Sequence, residues 1–511
     1  MRRPRDTPDP RAAHSTVVTS FDPLDPLGLA DDAPLFAAWL RMSAGVRSGS
    51  TRFFSIPGHK QSSRLTGPLV DGDLPLYAGL DTVQLSGGLL AEAEQRAAAL
   101  WGVDWCRFSV GGSTHANQAV ALAVGAPGDT VIVSRTLHRS MLTGLILAGL
   151  RPVWVHPELD ERHGLPLGVP REAVAQALAH HPEAKAVLVG DPSYVGTTGD
   201  IAGLASTAHA AGVPLIVDGA WAAHFGFHPG YPTHALALGA DALVLSAHKT
   251  LPAMNQAALL LARTSCASRA PGLLDPSRLE RGFEAGHTTS PSGAILASID
   301  ASRALLQHHG DRLLGALFDL RLNAVEKLRE VPGLEVMTGE GTDPAKLVIR
   351  LPGTGACGLK VDARLRAAGF TIEMADRDTL VPMLTLADEA PAVDALVSAI
   401  ITAVDAERAS AREAVFAPSW RTVPVTGTAP REAFFAPHET VGALDAVGRV
   451  SAELIAPYPP GVPVLAPGEV ITQEIVDALR QVAHDGGRIA YVEDPTLTTF
   501  QVVGRTPTSG R

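Results

Sequence analysis

Cysteine is nearly absent: Cys106, Cys266 and Cys357 are the only 3 in 511 residues, far apart and without a CxxC pair. This excludes a disulfide framework and a zinc ribbon, leaves no metal-ligand set to propose, and fits a reducing compartment such as the cytoplasm. Positive charge is also in deficit, with 42 Lys and Arg against 53 Asp and Glu and a formal net charge of -11. Nonspecific nucleic-acid binding needs a basic footprint and is therefore not expected, whereas an acidic surface suits a cationic small substrate. Long apolar runs are missing too. The longest, such as residues 142–150, fall far short of the roughly 18 residues that span a bilayer, so no membrane partner is expected. No apolar segment follows the arginines of MRRPRDTPDPRAAHS, which argues against a secretory signal. What remains is a globular composition, 46% hydrophobic and 19% charged, in a chain long enough for roughly two to four domains.

The chain then becomes regular. Apolar runs at 105–110, 130–134, 152–155, 186–190, 214–218 and 242–246 read as strands, and helical periodicity at 116–124, 140–148, 171–178 and 201–211 separates them. Short, continuously apolar strands alternating with helices call for a mainly parallel sheet covered on both faces. Ligands of such sheets bind at the C-terminal ends of the strands. That edge collects Ser113 and Thr114, His138, Asp191 and Ser193, Asp218, and Lys249.

Two of these stretches carry chemistry. Gly111-Gly112-Ser113-Thr114 joins a strand to a helix, so free N–H groups, the helix dipole and two hydroxyls converge as an anion site; an ordinary capped helix fits the same residues. It matches neither a Walker A loop nor GxGxxG, so no nucleotide is indicated. In LVLSAHKTLPAMNQAALL (243–260), Lys249 stands between two apolar segments. Desolvation lowers the pKa of such a lysine and makes it a nucleophile suited to a Schiff base, whereas a lysine whose stem lies on apolar surface while its head reaches water is the plain alternative. Its company on one sheet edge with a phosphate cradle and a strand-end carboxylate favours the chemical reading.

Eight motifs in order resemble the prokaryotic ornithine/lysine/arginine decarboxylases, enzymes of the aspartate-aminotransferase type of pyridoxal phosphate fold. They are IPGHK (56–60), GGST (111–114), SRTLHRS (134–140), GDPSYVGTTGDI (190–201), VDGAWAAHFGFHP (217–229), SAHKTL (246–251), HTTSPSGAILASID (287–300) and YPPGVPVLAPGE (458–469). The resemblance implies an α/β protein of PLP fold type I with a small-molecule amino acid substrate and pyridoxal 5'-phosphate as cofactor. It implies that Lys249 carries the cofactor covalently, Asp218 pairs with the pyridine nitrogen, and His138 stacks on the ring with Trp221 beside it. Gly112, Ser113, Thr114 and Ser246 would hold the phosphate, and His248 would donate a proton after carbon dioxide leaves. Thr288 and Thr289 would reach the cofactor of a neighbouring subunit in a homodimer or larger assembly, although TTSPS reads equally as a capped loop.

Departures from the family pattern bear on specificity. The strand end reads VDGAW instead of the frequent VDEAH, Gly111 stands where asparagine is common, and no receiver-like wing precedes the cofactor domain. Composition and periodicity, read with the resemblance, divide the chain into a disordered tail (1–33), an N-terminal arm (34–67), a cofactor-binding large domain (68–312) ending near a helix at 294–305, a small α/β domain (313–416) with a helix at 313–329 and a strand at 383–386, and a linker with a C-terminal domain (417–511). Glu373 and Asp376 are candidate partners for a cationic substrate tail, set against the plainer expectation of exposed strand-end carboxylates. Rival functions are another reaction on the same scaffold, such as transamination or elimination, and a noncatalytic regulator. The late motifs speak against the first, and the joint presence of Lys249, Asp218 and His138 against the second.

Overall fold

Seven short apolar strands form the central sheet: β1 (Trp105–Ser109), β2 (Thr130–Ser134), β3 (Arg151–Val155), β4 (Val187–Gly190), β5 (Leu215–Asp218), β6 (Ala242–Ser246) and β7 (Ala258–Ala262). Their order is β1-β7-β6-β5-β4-β2-β3; the run from β6 to β3 is parallel, and β7 lies antiparallel between β6 and β1. The computed structural model describes residues 23–76, 80, 88–264, 273–415, 421–458 and 461–505. Most of the expected tail, part of the expected linker, Cys266 and the two prolines after Tyr458 lie outside the described residues.

Side chains of successive strand residues point to opposite faces, and both faces are apolar. Leu243 and Leu245 of β6 join one core with Leu215 and Val217 of β5; Ala242, Val244 and Ile216 join the other. Helices α2 (Leu89–Leu100), α5 (Arg171–His180) and α6 (Ile201–Ala210) cover the first face, and α3 (Gly112–Val124), α4 (Arg139–Ala148) and α8 (Pro276–Gly286) cover the second. The expected mixed α/β architecture with a mainly parallel sheet is thus the observed one. The strand β7 is the departure. Its run ALLLA follows a single helical turn, α7 (Ala247–Thr250), and a connection that short suits an antiparallel return better than a parallel crossover.

A second departure is the helix α9, which runs unbroken over Gly293–Arg329. Helices are expected at 294–305 and 313–329, with a break between them that coincides with the expected domain boundary. The intervening turn stays helical and keeps one buried stripe, Leu306, Gly310, Leu314 and Leu317 following one another at three- and four-residue spacing, with Phe227 beside Gly310. The far half of α9, with α10 (Gly358–Ala367) and α11 (Ala390–Ala406), covers a four-stranded antiparallel sheet. This sheet contains β8 (Glu335–Val336), β9 (Ile349–Arg350), β10 (Met374–Ala375) and β11 (Thr379–Val381). A strand is expected at 383–386, but Asp376 accepts hydrogen bonds from the backbones of Asp378 and Thr379 and closes a tight hairpin, so the strand lies earlier. A fourth core gathers β12 (His438–Gly442), β13 (Ala456–Tyr458), α12 (Gln473–His484), β14 (Arg488–Ala490) and β15 (Thr499–Val503).

The described part of the expected tail is docked. Asp25 accepts from the backbones of Leu29 and Ala30, and Asp32 pairs with Arg96, Arg303 and His308. The following helix α1 (Pro34–Ser48) has no capping side chain of its own. Its free N–H groups are met from α9: buried Asp300 accepts from Leu35 N at 2.9 Å and Phe36 N at 3.4 Å, and also from Arg303 at 2.8 Å. Burial and bond geometry here predict that Asp300→Ala lowers stability by about 3 kcal/mol, since it strips a buried arginine and a helix start of their acceptor. Urea unfolding of the two proteins measures it.

Candidate active site

A cavity of about 520 Å³ opens at the C-terminal edge of the central sheet. Each strand that ends there delivers a side chain: β2 leads to Thr136 and His138, β4 ends at Gly190 before Pro192 and Ser193, β5 ends at Asp218, and β6 runs into His248 and Lys249. Gly111, Gly112, Ser113 and Thr114 bring the N-terminus of α3 to the same cavity. Gly112 has φ 70°, a left-handed backbone that a side chain there would strain. Trp221 forms a wall, and Lys249 Nζ lies 4.0 Å from its ring centroid.

Electrostatics at this edge follow from burial. Desolvation lowers the Lys249 pKa, against the pull of Asp218 and Glu373. His138 is open to the cavity but lies deep in the protein, and desolvation lowers its pKa despite Asp218. Burial likewise lowers His248, opposed by its bond to Ala257 O. Hydrogen bonds fix the two imidazoles in opposite tautomers. His138 Nδ1 accepts from Ser140 N at 3.2 Å, which puts the neutral ring's proton on Nε2; His248 Nδ1 lies 2.9 Å from Ala257 O, which can only accept, so its proton is on Nδ1. When neutral, His248 therefore presents an accepting Nε2, and it must gain a proton before it can give one.

Asn117, absent from the sequence-based expectations, ties the edge together. Its Nδ2 donates to Asp218 Oδ2 at 2.7 Å and to Ser140 Oγ at 2.9 Å, and Ser140 Oγ is 2.9 Å from His138 Nδ1. Asp218, itself 6% exposed, also accepts from Ala220 N. Asn117 stands three residues after Thr114, one helical turn along α3, and only that spacing hints at it in the sequence.

The other expected residues divide. Ser246 is buried behind the cavity, and its Oγ makes no hydrogen bond among the described residues. Thr288 lines a second cavity of about 360 Å³ that shares Gly111 and Gln256 with the first; Thr289 is exposed and lines neither. Ser193 faces the main cavity, whereas the Asp191 carboxyl accepts from Gly199 N at 2.6 Å and is pushed by burial up to about 7. Glu373 is exposed as expected, but on the cavity wall, where it accepts from the Tyr194 hydroxyl at 2.6 Å. Asp376 departs from that expectation: it is half-buried and occupied by its hairpin. Tyr458 and Val462 reach the cavity from the C-terminal core. Behind their loop Arg135 and Glu469, both buried, pair at 2.9 Å.

The profile of "Orn/Lys/Arg decarboxylase, major domain" matches residues 46–339, more than half of the chain, and that of the "Orn/Lys/Arg decarboxylase, C-terminal domain" matches residues 413–487. The chain belongs to the Orn/Lys/Arg decarboxylase family. It is an enzyme of amino acid decarboxylation, acting on a basic amino acid. An arginine decarboxylase of Halalkalibacterium halodurans is 32% identical over 88% of this chain and 94% of its own, and one of Bacillus subtilis is 30% identical over 88% and 94%. Among solved structures, lysine decarboxylase A of Pseudomonas aeruginosa superimposes with a TM-score of 0.78 at 20% identity, covering 93% of this chain and 81% of that one. That likeness carries the fold of the pyridoxal phosphate decarboxylases. No helix among the described residues is long and apolar enough to cross a membrane.

The bond chain through Asn117 makes a specific prediction for this family member. Asn117→Leu leaves Asp218 with the Ala220 amide and removes a donor from Ser140, so urea unfolding should report a loss of about 1–3 kcal/mol.

Proposed function

We propose that this protein decarboxylates a basic L-amino acid with pyridoxal 5'-phosphate, L-arginine being the first substrate to test because the relatives named above are arginine decarboxylases. The observation that carries this reading is the meeting of Lys249, Asp218, His138 and the Gly111–Thr114 turn on one cavity. The residues fit the cofactor in three independent respects. The helix start of α3, with Ser113 and Thr114, suits a phosphate, and the unpartnered hydroxyl of buried Ser246 lacks the acceptor that an anion offers. Asp218 is a buried carboxylate already held by two donors, suited to a protonated ring nitrogen. Lys249 is desolvated and so inclined to its nucleophilic neutral form.

When bound, the cofactor supplies a sink for the electron pair released as the carboxylate leaves the α-carbon. The chain's own residues do the rest. Lys249 would hold the cofactor covalently through its desolvated Nζ. His138 Nε2–H and the Trp221 indole line the cavity and would bound the space for the ring, which orients the substrate attached there. The accepting Nε2 of His248 would take a proton from the incoming α-ammonium and return one to the α-carbon; the amine leaves with a further proton from solvent, the one proton that decarboxylation consumes. Glu373, oriented by Tyr194, receives the distal cation of the substrate. Thr288 and Thr289 approach the phosphate of a neighbouring copy in a homodimer, and the scarcity of cysteine suits work in the cytoplasm.

Four outcomes test this reading. Carbon dioxide release should occur with at least one of L-arginine, L-lysine and L-ornithine; turnover of neutral or acidic amino acids alone refutes the substrate class. Lys249→Ala should abolish both turnover and the visible absorbance of the bound cofactor. Glu373→Gln should raise KM for the preferred substrate about tenfold while kcat changes less, the signature of a lost ground-state contact. Sedimentation should give a dimer or larger, and an active monomer would refute the shared site.

A further inference from the structure

One buried cation has no part in the chemistry above. Lys346 is 1% exposed and follows the loop 339–345 from the small sheet back to the cavity wall. Its Nζ lies 3.8 Å from the ring centroid of Trp221, the same indole that Lys249 Nζ approaches to 4.0 Å. It donates to Tyr194 O at 2.5 Å and stands 5.2 Å from the Tyr194 ring. The nearby Asp343 turns its Oδ1 to His224 Nε2 at 2.9 Å and to Ala345 N at 2.9 Å, and its buried Oδ2 makes no hydrogen bond among the described residues. Among the described residues Lys346 forms no ion pair, so its charge is directed at aromatic faces and a carbonyl. Tyr194 packs edge-on against Trp221 with centroids 5.4 Å apart and donates its hydroxyl to Glu373.

We propose that Lys346 is a positioning residue for this reaction, clamping the Trp221 indole to the backbone of Tyr194 and thereby fixing Glu373 where the substrate's distal cation is received. The proposal rests on the reading of Glu373 given above. The bond to Tyr194 O survives without charge, because a neutral amine still donates; the attraction to the indole does not. Burial pushes the Lys346 amine down to about 7, with Asp343 and Glu373 favouring its charge and Lys249 opposing it. A folded pKa below the free value means that the cation, and with it the grip on the indole, is present below pH 7 and lost as pH rises through it.

The test compares the holoenzyme as wild type, Lys346→Met, Trp221→Leu and the double variant on either side of pH 7. Methionine keeps the length and removes the charge. Wild type should show KM rising about tenfold through neutrality with kcat nearly constant, while Lys346→Met holds the higher KM at both ends. The double variant should be no worse than Trp221→Leu, because the lysine acts through the indole. A Lys346→Met enzyme that keeps the wild-type pH dependence, or losses that add in full, would overturn the clamp. If wild type releases carbon dioxide from none of the three basic amino acids, the substrate reading fails instead. The clamp is then judged by near-ultraviolet circular dichroism: the difference between wild type and Trp221→Leu changes through pH 7, and the same difference measured on a Lys346→Met background stays flat. A flat wild-type difference refutes it.

Discussion

The cost of taking a positive charge out of water governs this protein's cavity. Lys249, Lys346, His138 and His248 are all pushed toward their neutral forms, and in each the largest cause is burial. Carboxylates temper this: Asp218 beside Lys249 and His138, Glu373 beside both lysines, and Asp343 beside Lys346. Each of these nitrogens therefore holds its proton less tightly than it would in water. An enzyme that must accept an α-ammonium needs somewhere for its first proton to go, and a set of desolvated nitrogens provides it. The same desolvation explains why the site sits at the sheet edge: only there do several strands end together with their polar residues sheltered by two apolar cores.

Much of this edge was legible in the sequence because each strand announces its own end. Apolar runs stop at Ser134, Gly190, Asp218 and Ser246, and the structure ends β2, β4, β5 and β6 at those residues. The direction of β7 was not legible, since ALLLA is equally apolar whichever way it runs. Nor was the continuity of α9, where Gly310 resembles a breaker until its neighbour Phe227 is known. Asn117, Tyr194 and Lys346 escaped for a different reason. Their partners lie roughly a hundred or more positions away in the chain, and nothing local distinguishes a packed asparagine or lysine from a solvated one.

Around the cavity, three parts of the fold share the lining. The central sheet supplies Asp218, His248 and Lys249, the small sheet supplies Glu373 and Met383, and the C-terminal part supplies Tyr458 and Val462. The third contribution is held by a buried charge pair, Arg135 to Glu469, reinforced by Arg139 over the ring of Tyr491 at 4.0 Å and by Arg431 donating to Ile146 O and Leu147 O. Arginine suits such seams because its fork bonds several acceptors while its plane lies on an aromatic face.

The unbroken α9 has a mechanical meaning. At about 1.5 Å per residue its 37 residues make a rod on the order of 55 Å long. One end is seated where Asp300 holds the start of α1, and the other forms the floor of the small sheet that carries Glu373. A loose joint between two helices would let the small sheet swing alone. A continuous shaft couples such a swing to the far end, so the cavity wall that carries Glu373 and the N-terminal arm are the two handles of one lever.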